Sequence, residues 1–355
     1  QAFSSPAVGW HSACCSPVRS QRGKCDGLQS SSLPSTLVRR SNQPVACAGQ
    51  EEDELNTRWV QLNVGEDVEP GENVTIMPVF PLTSYIPYTK QVLSIYEPRY
   101  RQLYNDILFS GARRFMVTNW DGHNYACAEV GVIFYLDDLK EVSEQTGDQV
   151  KYICEHSLIG RVKLLRMLNP REMLIRSTYM RAEVEILEDD DDIEDTTASE
   201  ADVRQVFEEI VDLQQDLGEA PRLVPEKVKP LLSFHRKNST EGAGLWDTIA
   251  TWHDFLEARA QAKLADMNNE VKKELYQFLV ENPNVNTDDA LPESLQSRMY
   301  DIQQRHLQEI RMMYPGADCD FVQAMLQTDS HGKRLQVFRE LLERERERLR
   351  ARALL

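Results

Sequence analysis

Ile76-Met77-Pro78-Val79-Phe80-Pro81-Leu82 predicts the first β-strand of the fold, because apolar residues fill the stretch and two prolines punctuate it. The predicted strand covers Asn73–Pro81, and Leu82 follows it directly. Further along the chain, Val92–Tyr96 predicts a second short strand. Glu97-Pro98 then opens a helix, since proline suits the first helical turn, and Gly111 ends that helix.

Beyond this helix the apolar period changes to two, which predicts a series of short strands. The predicted strands are Arg113–Thr118, Tyr125–Tyr135, Val150–Cys154, Gly160–Met167 and Met173–Leu187. Asp121-Gly122 is a hairpin-turn signal, and Gly131 predicts a β-bulge. Many short strands with one early helix predict a small closed or half-open β-barrel.

Three motifs in this order resemble the N-terminal, substrate-binding domain of Lon proteases. They are Ile76–Leu82, the helix start Tyr96–Leu103 and the strand Arg113–Val117. Gly131 and Tyr179–Glu185 are similar to the family's glycine-bearing strand and its closing strand. The resemblance is weakest around 137–160, so no loop contact is carried over there. It implies an α+β fold, with a PUA-like small β-barrel followed by a helical bundle, and a role in engaging unfolded polypeptide.

The remainder of the chain predicts helices. They run from Ser199 to Gly218, over Leu245–Leu279 and from Leu295 to Met313. Ser199–Asp202 predicts a capping box with Asp in place of Glu. Residues 245–314 predict a long helical hairpin with coiled-coil-like spacing. Residues 324–343 resemble the last helices of the Lon N-terminal domain, which makes the hairpin an insertion.

The predicted domain organisation follows from these patterns. It is a disordered transit peptide at 1–50, a linker at 51–72, the Lon-type PUA-like β domain at 73–188, an acidic linker at 189–198 and a helical domain at 199–355. Residues 188–195 hold seven acids in eight positions, which repel one another and stay solvated. The run lacks the glycine and the spaced ligands of an EF-hand, so it predicts no calcium site.

The first 50 residues differ in charge from the rest of the chain. They carry ten serines, five basic residues and one acid, whereas the whole chain has a net charge of -17. This composition predicts a transit peptide. Val45–Ala48 is similar to a chloroplast stromal processing site, while Arg39-Arg40-Ser41 is compatible with a mitochondrial signal. We therefore predict a chloroplast protein of the stroma, with the mitochondrion as the alternative.

Several classes of site lack their motifs in this sequence. Gly23-Lys24 and Gly332-Lys333 are its Gly-Lys pairs, and neither has the upstream glycine of a phosphate-binding loop. There is no C-x-x-C pair, and no apolar run approaches the roughly 18 residues of a membrane helix. The acidic charge argues against binding to nucleic acid. We predict no enzymatic activity, no cofactor, no metal and no membrane span.

Arg99, Trp120 and His123 are the candidate contacts for a protein partner. Arg99 lies in a stretch that predicts either a peptide-binding patch or a helix start with an ion pair between Glu97 and Arg101. Trp120 stands beside the predicted hairpin turn, where an exposed aromatic side chain suits a partner contact. His123 is either a second contact or a plain turn residue.

Cys154 and His156 are a second set of candidate site residues, because residues two apart on a strand share one face. They predict either a metal or nucleophile pair, or two structural residues. No third ligand or orienting base accompanies them in the sequence, which favours the structural alternative.

Together these patterns predict a non-catalytic polypeptide-binding or protein-interaction module, similar to a stand-alone Lon domain of the chloroplast. Its partners would be client polypeptides, with a plastid protease or chaperone as a further partner. The alternatives are an RNA-binding PUA-like protein, a regulatory subunit of a separate ATP-dependent protease, and a hydrolase that uses Cys154 and His156. No oligomeric state follows from the sequence.

Overall fold

A computed structural model describes residues 56–62, 67–72, 74–188, 196–232, 234, 244–282, 291–313 and 320–354. These residues belong to a single unit of the chain, Gly49–Leu355. The predicted transit peptide at 1–50 and the part of the acidic linker at 189–195 lie outside the described residues.

Eight strands are present among the described residues, and five of them close into a barrel. The strands are β1 (Trp59–Gln61), β2 (Thr75–Leu82), β3 (Lys90–Ile95), β4 (Arg114–Asp121), β5 (Ala126–Ala128), β6 (Val130–Glu141), β7 (Tyr152–Met167) and β8 (Met180–Leu187). β2 pairs in parallel with β4, and antiparallel pairs β4–β6, β6–β7, β7–β8 and β8–β2 complete the ring. β1 and β5 extend the sheet beyond β4, and β3 extends it beyond β7. The predicted barrel is confirmed, but β1 lies inside the stretch predicted as a linker.

Two strands differ from their predicted bounds. β7 is one strand of 16 residues, where the sequence pattern predicts two. Its pairing with β6 skips Ile159, and this bulge lets the strand continue through the polar residues that suggested a break. The predicted strand Met173–Leu187 begins instead as a short helix, because the Glu172 carboxylate accepts bonds from the Ser177 and Thr178 N–H groups and closes a loop.

The helices are α1 (Pro98–Phe109), α2 (Ser143–Thr146), α3 (Glu172–Ile175), α4 (Thr197–Asp216), α5 (Pro225–Val228), α6 (Leu245–Glu281), α7 (Glu293–Met313), α8 (Phe321–Gln327) and α9 (His331–Ala353). α6 and α7 are antiparallel, since Lys263 pairs with Glu309 at 2.8 Å and Arg298 with Glu274 at 2.9 Å. The predicted α+β class with a helical hairpin is therefore confirmed. The predicted cap at Ser199 is wrong, because α4 starts earlier with Thr196 at its N-cap.

Two apolar clusters lie on opposite faces of the sheet, as the alternation along β4 shows. Met116 faces the inner cluster, and its neighbours Phe115 and Val117 face the outer one. The inner cluster takes residues from all five barrel strands and fills the barrel: Val79, Met116, Ile133, Val162 and Met180 are examples. The outer cluster continues from the sheet into α1, α4, α6, α8 and α9. One face of the sheet is thus covered by helices.

Arg161 on β7 joins the barrel to the end of α8. Its buried guanidinium donates to the carbonyl oxygens of Leu326 and Thr328 at 2.7 and 2.6 Å. These are carbonyls that the end of a helix leaves without an intrahelical partner. On the same helix, the Gln323 side chain donates to the Val130 carbonyl at 2.8 Å. α8 is therefore fixed to the barrel by buried hydrogen bonds as well as by apolar packing.

Gly131 is not a bulge, since it pairs in register with Val162. A Cβ atom at this position would lie 2.3 Å from the Val117 carbonyl oxygen, so the backbone of β4 passes too close for any side chain. We expect Gly131→Ala to lower the free energy of unfolding by about 1–3 kcal/mol, as overpacking does in well-packed interiors. Urea unfolding midpoints would measure the loss.

Gly160 supplies the matched control, because a Cβ atom there would meet nothing within 4 Å. Gly160→Ala should leave stability unchanged or raise it slightly, since it restricts the unfolded chain. Equal losses for the two variants would contradict the close approach of β4 to Gly131.

Candidate functional site

β3 lies at one end of the sheet order and pairs with β7 along one edge. No strand in the described ranges pairs with its second edge. Leu93 and Ile95 point into the outer apolar cluster, whereas Lys90, Val92 and Ser94 are exposed. This alternation is what a strand shows when one face is covered and the other meets solvent.

The solvent face beside this edge carries apolar side chains. Val92 is 59% exposed, Tyr96 just after β3 is 59% exposed, and Ile153 on β7 is 38% exposed. In the register of the pair, Val92 lies opposite Glu155 and Ser94 opposite Ile153, so these residues are direct neighbours. We call this surface, made of Val92, Ser94, Tyr96, Ile153 and Glu155, the open face.

Arg101 on α1 fixes the end of the open face. Its guanidinium donates to the Tyr96 carbonyl at 2.9 Å and to both Asp148 carboxylate oxygens at 3.0 Å. The predicted ion pair between Glu97 and Arg101 is therefore wrong, because the loop that follows α2 brings Asp148 within reach of Arg101 instead. This contact holds the chain just past β3 in one position.

Arg99 is not a surface contact in this structure, since the residue is only 8% exposed. Its Nε donates to the Glu97 carboxylate at 2.8 Å, and its guanidinium lies 4.5 Å from the centre of the Tyr100 ring. Tyr100 in turn stacks on Phe80. Arg99 therefore covers the aromatic core beneath α1 and offers little to a partner.

Trp120 and His123 lie near the hairpin between β4 and β5. Trp120 belongs to β4 and not to the turn; it is half-buried against the inner cluster and beside the Tyr125 ring. His123 is exposed, and its backbone N–H donates to the Asp121 carboxylate, which shapes the turn. The structure thus does not bring Arg99, Trp120 and His123 together with the open face.

Cys154 and His156 share one face of β7, as predicted, but that face is covered by α1. The Tyr104 hydroxyl lies 2.8 Å from the His156 Nε2, and both side chains are buried. Burial lowers the pKa of His156 to about 4 and raises the pKa of the Cys154 thiol to about 12. A buried neutral thiol beside a weakly basic imidazole is a poor nucleophile pair, so this geometry favours the structural alternative.

A cavity of about 270 Å³ lies in the helical part, with Arg259, Lys263, Arg348 and Glu219 in its lining. Arg348 pairs with Glu219, and Lys263 pairs with Glu309. The charged side chains Arg259, Lys263, Arg348 and Glu219 are thus already paired within the protein. The described residues contain no group of three or more His, Cys, Asp or Glu side chains placed to hold a metal ion. None of the described helices has the length and apolarity to cross a bilayer.

Sequence reasoning did not single out Val92, Tyr96 and Ile153. The apolar run over Val92–Tyr96 predicts the strand, but every side chain in it except Ser94 is apolar or aromatic. Such a run predicts a strand that is buried on both faces. The polar Ser94 between Leu93 and Ile95 was the available signal for a solvent face.

Comparison with known proteins finds similar structures but no matching family model or curated sequence. No protein-family model matches the chain, and no curated protein matches it. The Lon N-terminal domain protein from Xanthomonas campestris has 18% identity and a TM-score of 0.29, and the match covers 50% of this chain and 98% of that one. The N-terminal domain of the Mycobacterium avium complex Lon protease has 10% identity and a TM-score of 0.31, over 52% and 97% of the two chains. Over about half of its length, this chain is similar to Lon N-terminal domains.

Proposed function

We propose that this protein is a non-catalytic polypeptide-binding module that takes unfolded segments on the open face. The observation that carries the proposal is the exposure of Val92, Tyr96 and Ile153 beside a sheet edge with which no described strand pairs. Exposed apolar side chains grouped next to polar ones mark surfaces that contact partners. The resemblance of Ile76–Leu82 and Tyr96–Leu103 to a substrate-binding domain supports the same function.

The open face can bind without rearrangement of the fold. Its supporting strand β3 is fixed by the pairing with β7 and by Arg101 at its end. Apolar side chains of a client would cover Val92 and Ile153. Both are already partly buried, so each contributes only part of the roughly 1.5–3 kcal/mol of a fully buried side chain. These gains are partly offset by the entropy lost in ordering the client, which predicts weak and reversible binding.

The location proposed with this function is the chloroplast stroma, where the clients would be imported or damaged polypeptides. This part rests on the serine-rich, acid-poor composition of residues 1–50. Fusing those residues to a fluorescent protein and following its uptake by isolated chloroplasts and mitochondria would test it. Uptake by neither organelle would remove the proposed location and leave the binding function standing.

We expect Val92→Lys to weaken binding of an unfolded polypeptide about tenfold, because the lysine replaces an apolar contact with a hydrated charge. A reduced and alkylated globular protein that stays unfolded in buffer, labelled with a fluorophore, is the probe. Fluorescence anisotropy against increasing protein concentration gives the dissociation constant.

Ile186→Lys is the matched control, since Ile186 is also an exposed aliphatic residue on a strand but lies on β8. It should leave binding within about twofold of the unchanged protein. If the unchanged protein does not bind the unfolded chain, or if both variants weaken it equally, the proposed function is wrong.

A further inference from the structure

The main chain of β3 offers regularly spaced hydrogen-bonding groups that another extended backbone can match. The carbonyl oxygens of Thr89 and Ile95 face β7, where they accept from Leu158 N–H at 3.0 Å and Lys151 N–H at 2.8 Å. In an extended strand the N–H and C=O groups of alternate residues point to opposite edges. Lys90, Val92 and Ser94 therefore direct their N–H and C=O groups toward the edge with which no described strand pairs.

Among the described residues, this edge has little protection against strand addition. Natural proteins shield edges with short strands, proline, bulges, charged side chains, especially lysine, or a covering helix or loop. β3 has no proline, its register with β7 is continuous, and Lys90 is its only charged residue. The edge is also long enough for three residues to present donors and acceptors at a regular spacing.

The charge of the chain decides between two occupants of the edge. A second copy of this protein would bring its own net charge of -17 to the same place, and two such bodies repel each other. A neutral or basic segment meets no such repulsion. The charge thus favours a client polypeptide over self-pairing, and a basic client over an acidic one.

We propose that the β3 edge binds a neutral or basic extended polypeptide segment as an additional antiparallel strand, with its alternate apolar side chains on the open face. The proposal rests on the proposed function and deepens it, since it names the conformation and charge of the client. Pairing through Lys90, Val92 and Ser94 supplies main-chain bonds that do not depend on sequence. The open face then selects segments that are apolar at every second residue.

In an antiparallel client strand, the direction of each backbone N–H group is linked to the face on which the side chain of that residue lies. A client residue opposite Val92 places its side chain on the open face and turns its own N–H group toward β3. In a parallel strand the residues with side chains on the open face would turn their N–H groups away. Methylating chosen backbone nitrogens of a client therefore reports both the pairing and its direction.

The test uses a synthetic peptide of nine residues that alternates valine with threonine and carries lysine at both ends. N-methylation of the valine nitrogens should weaken binding to the full protein at least about tenfold, since it removes donors and blocks close approach. N-methylation of the threonine nitrogens should change binding less than about threefold. Fluorescence anisotropy of the labelled peptides measures both. A version with glutamate ends should bind more weakly, and added salt should reduce the difference.

Ser94→Pro tests the same edge from the protein side, because proline removes the N–H group that faces outward and leaves the pairing with β7 intact. We expect at least about tenfold weaker binding of the valine-threonine peptide, and no change for Ser94→Ala, which keeps the N–H group. Loss of binding in both variants would overturn the proposal.

The remaining outcomes separate this proposal from the proposed function. If the unfolded probe protein binds but the two methylation patterns act alike, strand pairing is wrong while polypeptide binding stands. The reverse methylation pattern would overturn the antiparallel arrangement. A dimer in sedimentation velocity that Ser94→Pro dissociates would show that a second copy occupies the edge, and would overturn the client assignment.

Discussion

Replacing Glu345 with alanine is expected to lower the free energy of unfolding by about 3–5 kcal/mol, the cost of breaking a buried ion pair from one side. Glu345 lies on α9 with its side chain 0% exposed, and Arg259 on α6 is 6% exposed. Their charged atoms are 2.6 Å apart, and Arg348 also donates to Glu345 at 2.8 Å. The alanine variant leaves the Arg259 guanidinium buried without this counter-charge.

Glu347→Ala is the control for this loss, because Glu347 lies in the same stretch of α9 and is exposed. Substitutions of exposed residues usually change stability by less than about 0.5 kcal/mol. Urea unfolding followed by tryptophan fluorescence suits the measurement, since Trp246 and Trp252 lie on α6 with Arg259. Equal stabilities for the two variants would contradict the burial of Glu345.

The tail that contains Glu345 illustrates what the sequence can and cannot specify. The alternating charges of Glu343–Arg350 predict a solvated helix with pairs three residues apart, and the pair Glu345–Arg348 is confirmed. The prediction of an exposed helix end is wrong at Glu345. Its main partner Arg259 is 86 residues earlier in the chain, on another helix, so no local pattern reveals the contact.

The barrel shows the same difference between elements that local sequence patterns predict and contacts between residues far apart in the chain. The period of two in Arg113–Thr118 and the proline at the start of α1 predict elements that the structure confirms. The position of β3 at the end of the sheet depends on its pairing with β7, in which all paired residues are more than fifty positions apart in the chain. The open face follows from that pairing. The burial of the candidate residue Arg99 likewise follows from the packing of α1 on the sheet, which no local motif reveals.

The acid stability of the protein should depend on His156 more than on a surface histidine. His156 is buried against the rings of Phe115 and Phe134, with Tyr104 at Nε2 and the Gln91 carbonyl 3.3 Å from Nδ1. Burial lowers its pKa from 6.5 to about 4, while the Gln91 carbonyl and Asp137 act in the opposite direction and are outweighed. The folded protein therefore holds this imidazole neutral where the unfolded chain would protonate it.

The sign of the effect follows from proton binding in the two states. Above pH 6.5 the imidazole is neutral in both states, and His156 adds no pH dependence. Between 6.5 and about 4 the unfolded state binds the extra proton, so stability falls as the pH falls. The total loss is about 3 kcal/mol, since each pKa unit corresponds to about 1.4 kcal/mol. Below about pH 4 the loss is complete.

The prediction concerns the difference in stability between the unchanged protein and His156→Asn. At pH 7 the variant should be the less stable of the two, because it gives up ring packing and the bond to Tyr104. As the pH falls to 4 the gap should narrow by about 3 kcal/mol, because the variant lacks the group that takes up the proton. Urea unfolding at steps of pH gives this difference directly, and carboxylates that titrate in the same range cancel from it.

His123→Asn is the matched control for His156→Asn. His123 is exposed on the hairpin turn, so the stability difference between the unchanged protein and His123→Asn should change far less over this range of pH than the difference for His156→Asn. An equally small change for His156→Asn would mean that α1 does not cover the imidazole in solution. Cys154, on the same face of β7, would then also be accessible, and the structural interpretation of the pair would fail with it. One pH series therefore tests both the packing of α1 on the barrel and the burial of the pair Cys154 and His156.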